Sequence, residues 1–263
     1  MNRRDFLLAS AGLATVPLLP PAAFAQSPLN RRPIPSSGEL LPIVGMGTSR
    51  TFDASDSEEN LARLTEVMRV FLEGGGRLLD SSPMYGQAES RVGDVLSRLQ
   101  SAATPFAATK VWTEGEQAGI AQMEESARRM GVERFDLMQI HNLVDWRTHL
   151  TTLRRWKEEG RIRYLGITTS HKRNHEEFEQ IMRTEPLDFV QFSYNIDNRL
   201  AEERLLPLAA DRGIATLINR PYQRGALFSR VKGQELPDVA KDLACTSWGQ
   251  FFLKFIAGHP AVT

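Results

Sequence analysis

The sequence predicts an α/β chain folded as a (β/α)8 TIM barrel, truncated at the start of its eighth strand. Three observations carry this expectation. From Leu40 onward seven short apolar runs alternate with amphipathic stretches, and the runs end near residues 46, 80, 110, 141, 168, 192 and 218. The intervals of about 24 to 34 residues fit a strand, a helix and two loops, the repeat of a parallel sheet with crossover helices. An open dinucleotide-binding sheet would place G-x-G-x-x-G after its first strand, where this chain reads GMGTSR at 45–50. Polar residues recur instead at the C-terminal ends of several strands, which suits a barrel mouth.

The elements follow in order. Residues 1–25, MNRRDFLLASAGLATVPLLPPAAFA, have a basic start, an apolar run and an Ala23-Phe24-Ala25 site, the pattern of a signal peptide. The run is short and broken by Pro17, Pro20 and Pro21, so no stable membrane span is expected. Arg3 and Arg4 followed by Phe6 and Leu7 resemble a twin-arginine export signal, which implies the twin-arginine machinery as a partner and a bacterial periplasmic location. Cleavage after Ala25 leaves residues 26–263 as the barrel domain. Strands are predicted at 41–46, 77–80, 105–110, 135–141, 163–168, 188–193 and 214–218. Ser55 and Glu58 read as a capping box that opens a helix carrying Leu61, Leu64, Met68 and Phe71, and Gly74, Gly75 and Gly76 end it. Val92, Val95, Leu96 and Leu99 give the second helix its apolar stripe, and further helices fall near 115–130, 147–159, 174–184, 200–212 and 246–257. Ala261 is where an eighth strand would begin.

Composition narrows the function. With 263 residues, 41% of them hydrophobic, the chain buries a full core without covalent staples. Its one cysteine, Cys245, allows neither an internal disulfide nor a cysteine-based zinc site. The balance of 32 basic against 32 acidic residues gives no electrostatic footprint for nucleic acid. His149, His171 and His259 lack metal-ligand spacing, so no metal is expected.

Four residues at the ends of the second to fourth strands suggest proton transfer: Asp80 and Tyr85 in LLDSSPMYGQAES, Lys110 in FAATK and His141 in LMQIHN. A tyrosine hydroxyl, with a pKa near 10, gives up its proton at neutral pH only with help. An adjacent ammonium favours the phenolate, and a carboxylate keeps that ammonium charged and aimed. A histidine beside them can hydrogen-bond a substrate oxygen.

From Arg32 to Thr263 the sequence resembles the aldo-keto reductase family, through RPIPSSGELLPIVGMGTSR, the D-S-S-x-x-Y-G-x-A-E block at 80–89, ATK at 108–110, QIHN at 139–142 and VQFSYN at 190–195. The resemblance implies a catalytic set of Asp80, Tyr85, Lys110 and His141, with Tyr85 as general acid. The implied reaction is reduction of a small aldehyde or ketone, the hydride coming from NADP(H) ahead of NAD(H). It assigns cofactor contacts to Gln191, to Thr168 and Thr169 where the family has a Ser-Asn pair, and to Asn219 where the family has a stacking tyrosine. Arg220 and Arg224 come within reach of a pyrophosphate, Gly225 and Leu227 match a G-x-L segment, and Trp112 and His141 line the substrate pocket. The departures at Thr169 and Asn219 support an alternative, a catalytically weak nucleotide-binding barrel that serves as redox sensor or docking scaffold.

Overall fold

The computed structural model of the chain describes residues 29–99, 104–170 and 174–263; the expected export signal at 1–25 lies outside them. An antiparallel hairpin comes first, β1 (Arg31–Pro33) with β2 (Leu40–Pro42). The alternating part then runs β3 (Met46–Gly47), α1 (Glu58–Glu73), β4 (Leu78–Asp80), α2 (Ala88–Leu99), β5 (Phe106–Val111), α3 (Glu116–Met130) and β6 (Phe135–His141). It continues through α4 (Trp146–Glu158), β7 (Ile162–Thr168), α5 (His175–Thr184), β8 (Phe189–Ser193), α6 (Leu205–Arg212) and β9 (Ala215–Asn219). Helices α7 (Ala226–Arg230), α8 (Val239–Asp242) and α9 (Trp248–Ala257) follow. Strands β3 to β9 form one parallel sheet in sequence order, the wall of a (β/α)8 barrel, with β3 and β9 as its edges among the described residues. None of the described helices is long and apolar enough to cross a membrane.

Three local expectations are corrected. The predicted strand at 41–46 divides. Its first part pairs with β1, and only Met46 and Gly47 join the barrel wall, because Pro42 cannot donate to a ladder and Gly45 is pressed against Leu78. There a Cβ would sit 2.7 Å from the Leu78 side chain. The α1 cap is Ser57, whose hydroxyl accepts from the Asn60 amide, while Ser55 accepts from the Asn60 side chain. The stretch 200–212 is a 3-10 turn at Leu200–Glu202 followed by α6, whose Pro207 falls in the first helical turn, where no donor is needed.

Side chains alternate along each strand, and the inward set changes character from bottom to top. At the bottom Leu78, Phe106, Leu137, Tyr164, Phe189 and Ala215 pack together, and Ile34 and Leu41 of the hairpin plug them from below. Two to four residues further along the same strands the inward positions become Asp80, Lys110, His141, Thr168, Gln191 and Asn219. The larger apolar cluster lies outside the sheet, between it and the helices.

The hairpin is fastened to the far end of the chain. The Arg32 guanidinium donates to the carbonyls of Ala257 at 2.6 Å and His259 at 2.7 Å, and also reaches Val262. Where an eighth strand is expected from Ala261 no strand forms, and the segment is tied to β9 through two threonines: Thr216 Oγ1 donates to the Ala261 carbonyl at 2.7 Å and accepts from the Thr263 amide at 3.2 Å, and the Thr216 amide donates to Thr263 Oγ1 at 3.1 Å.

Candidate active site

β4, β5 and β6 are hydrogen-bonded neighbours, so the residues near their upper ends converge although they are 30 to 61 positions apart in sequence. Lys110 is fully buried. Its Nζ donates to Asp80 Oδ2 at 2.8 Å and to the Ser81 carbonyl at 2.6 Å, and lies 5.1 Å from the centre of the Tyr85 ring. Burial opposes this charge, but the Asp80 carboxylate and the Tyr85 phenol outweigh it, so the ammonium is held above the usual lysine range. Tyr85 stands in the turn between β4 and α2, edge-on to the His141 ring at 5.8 Å. Burial, reinforced by the charge on Lys110, pushes His141 down to about 3, so the imidazole is neutral at physiological pH.

Two residues that the sequence reading leaves unassigned complete this cluster. Gln139 is fully buried and donates from Nε2 to Asp80 Oδ1 at 3.0 Å, so each carboxylate oxygen has its own donor. The signal for it is spacing: two positions before His141 on one strand places it on the same face. Ser82, also fully buried, has its hydroxyl 2.9 Å from His141 Nδ1. No spacing rule finds it, because it sits in a turn.

A cavity of about 910 Å³ opens beside the cluster, with Asp80, Tyr85 and His141 on its wall. Gln191, Thr168, Thr169, Asn219, Arg220, Arg224 and Gly225 line it as well. Leu227 is buried off the wall. Trp112 is also off the wall; its ring lies 6.5 Å from His141 and is partly exposed, and its backbone is held on both sides by the Gln122 amide. The Asn219 side chain donates to the Thr169 carbonyl at 2.9 Å and accepts from Ser193 Oγ at 2.6 Å, so this position offers an amide in a fixed network and no aromatic face. Four of the nine non-glycine residues with left-handed backbone among the described residues line this cavity: Arg50, Asn142, Arg220 and Arg224. Such strain gathers where a site must present particular groups. Among the described residues no cluster of histidine, cysteine or carboxylate side chains could hold a metal ion.

Comparison with known proteins agrees with this geometry. The chain is 28% identical over 207 residues to aldo-keto reductase YhdN of Bacillus subtilis, a match covering 72% of this chain and 60% of YhdN. It is 25% identical over 242 residues to methylglyoxal reductase YeaE of Escherichia coli, covering 89% of this chain and 84% of that protein. An aldo/keto reductase from Klebsiella pneumoniae, solved with NADP and acetate, shares the fold with a TM-score of 0.72 at 19% identity, over 86% of this chain and 80% of that one. The profile of the aldo/keto reductase family matches residues 43–251, and the chain belongs to that family.

Proposed function

We propose that this chain reduces a small aldehyde or ketone with NADP(H), and with NAD(H) as the second choice, using Tyr85 as the general acid. The observation that carries the reading is the buried Lys110 ammonium, held by Asp80 and lying 5.1 Å from the centre of the Tyr85 ring on the edge of the cavity. The cavity suits a dinucleotide. At 910 Å³ it is large enough, its arginines 220 and 224 fit a diphosphate, and Gln191, Thr168 and Thr169 offer the neutral polar groups a carboxamide needs. The buried Asn142 Oδ1, without a hydrogen-bond donor, is a further acceptor at this wall.

When bound, the reduced nicotinamide supplies hydride to the carbonyl carbon. Tyr85 gives its proton to the carbonyl oxygen, and Lys110 stabilises the phenolate left behind. Asp80 and Gln139 keep Lys110 charged and in place. His141, being neutral, hydrogen-bonds the same oxygen without competing as an acid. The substrate class is that of small carbonyl compounds, to which the methylglyoxal in the name of the E. coli relative belongs. The Arg3-Arg4 signal supports export to the periplasm, which fractionation of the expressing bacterium tests.

The test is a fluorescence titration with NADPH and NADH followed by a carbonyl screen that includes methylglyoxal. Saturable binding is expected, with turnover that Tyr85→Phe removes while cofactor affinity stays within about twofold. Undiminished turnover in that variant overturns the assignment. Asn219 in its fixed network favours the second reading, a nucleotide-binding barrel used as redox sensor or docking scaffold. Tight cofactor binding with no turnover on any carbonyl selects it.

A further inference from the structure

We infer that Ser82 sets the tautomer of His141, so that the ring carries its proton on Nε2 and offers it to the substrate carbonyl oxygen. The substrate half of this statement rests on the reductase reading above; the tautomer does not.

Ser82 lies in the turn after β4, with its Oγ 2.9 Å from His141 Nδ1. The same Oγ accepts from the Met84 backbone amide at 3.4 Å. A hydroxyl has one proton to give, and an uncharged imidazole has one nitrogen that donates and one that accepts. With an amide already donating to Oγ, the Ser82 proton has Nδ1 as its acceptor. Were Nδ1 protonated instead, two N–H groups would point at one hydroxyl whose own proton had nowhere to go, in a side chain that is fully buried. The chain of donors therefore runs from Met84 N–H to Ser82 Oγ, and from Ser82 O–H to Nδ1.

The surroundings hold the ring to one proton. Lys110 is the cation that faces it, and the Lys110 charge together with burial disfavours an imidazolium. Tyr85 presents its ring edge-on, and the Asp80 carboxylate is already occupied by Lys110 and Gln139. Because Nδ1 is turned to Ser82 and His141 lines the cavity, Nε2–H is the group left for a ligand there. The neighbouring serine does different work: the Ser81 carbonyl receives Lys110, and its hydroxyl accepts from Thr48 at 2.9 Å. Of the adjacent pair in the D-S-S motif, one serine holds the lysine and the other orients the histidine.

Ser82 is thus a positioning residue, and its effect reads out in nitrogen chemical shifts as well as in rate. In a chain labelled with 15N-histidine at pH 7, the His141 signals are identified by their loss in His141→Gln. Nε2 is expected to appear as the protonated nitrogen and Nδ1 as the bare, hydrogen-bonded one. Ser82→Ala should move the Nδ1 resonance and lower kcat about tenfold with the KM for NADPH unchanged, a fraction of what a complete general-acid group contributes. Ser82→Thr, which keeps the hydroxyl, should restore both, and its recovery separates positioning from loss of fold. A proton on Nδ1 in the wild-type chain overturns the inference, as does a Ser82→Ala variant with unchanged shifts and rate. The labelling needs no turnover: a chain that reduces no carbonyl overturns the reductase reading, while the nitrogen pattern alone decides the tautomer.

Discussion

Replacing Asp80 with asparagine keeps the shape of the side chain and removes the charge that answers Lys110. An asparagine has one oxygen and one NH2 group, whereas both Lys110 Nζ and Gln139 Nε2 approach this position as donors, at 2.8 and 3.0 Å. Gln139 can answer the new NH2 by turning its unpartnered Oε1 toward it, but nothing replaces the charge opposite Lys110. With Lys110 fully buried, breaking the pair leaves an uncompensated buried charge, a loss of about 3–5 kcal/mol. The alternative is for the lysine to shed its proton, which from an ordinary pKa near 10.4 costs about 5 kcal/mol at pH 7. The two routes are comparable, so a loss of about 3–5 kcal/mol at pH 7 is expected either way. Its pH dependence identifies the cause. In the wild type the Lys110 pKa is raised, so its contribution is present below the unfolded value and is lost only as pH rises through the folded one. In the variant the buried lysine is depressed, so the unfolded chain holds a proton that the folded chain releases, and stability rises with pH by about 1.4 kcal/mol per unit. The gap between the two proteins therefore narrows toward pH 10. Urea unfolding at pH 7, 8, 9 and 10, followed through the four tryptophans, measures it. A loss below about 1 kcal/mol at pH 7, the worth of an exposed pair, refutes the reasoning, and so does a gap that stays constant with pH.

Three more outcomes are expected. Gln139→Leu loses the hydrogen bond to Asp80 but also removes the buried Gln139 Oε1, which has no partner, so urea unfolding should place its stability within about 1 kcal/mol of wild type while kcat falls; unchanged kcat would show that the amide is dispensable. His141, depressed to about 3 when folded, takes up its proton in the unfolded chain near pH 6.5 and in the folded chain only much lower, so stability declines below that pH, by about 3 kcal/mol at pH 4.5. His141→Gln should show that much less acid sensitivity, and an equal decline in both proteins would contradict the burial of a neutral ring. Arg224→Ala should weaken NADPH binding roughly tenfold in a fluorescence titration, the value of one charge-assisted contact, and an unaltered Kd would remove that residue from the cofactor site.

What the sequence discloses follows from periodicity. The barrel wall was legible because each of β4 to β9 is a compact apolar run, and Asp80, Lys110 and His141 declare themselves as polar residues at the upper ends of such runs. Gln139 obeys the same rule, but its role stays hidden in the sequence because its partner is a side chain on a strand two places away in the sheet. Ser82 is a different case. Its role depends on how a turn folds back over β6, and no local spacing encodes that. The split of 41–46 into hairpin and wall has the same origin: the run is apolar throughout, and only the close approach of Gly45 to Leu78, which leaves no room for a side chain, and the missing donor of Pro42 decide where the first strand of the barrel begins.

The clasp made by Arg32 gives the chain an order of events. Its guanidinium is synthesised some 225 to 230 residues before the carbonyls it grips. Bringing such distant groups together carries a loop-closure cost that falls only after the intervening strands and helices have shortened the path. The clasp is therefore expected to close late, after the intervening strands and helices have formed, and it fastens the hairpin whose Ile34 and Leu41 floor the barrel. Arg32 thus ties the floor of the barrel to the end of α9, so loosening that helix is expected to loosen the floor as well.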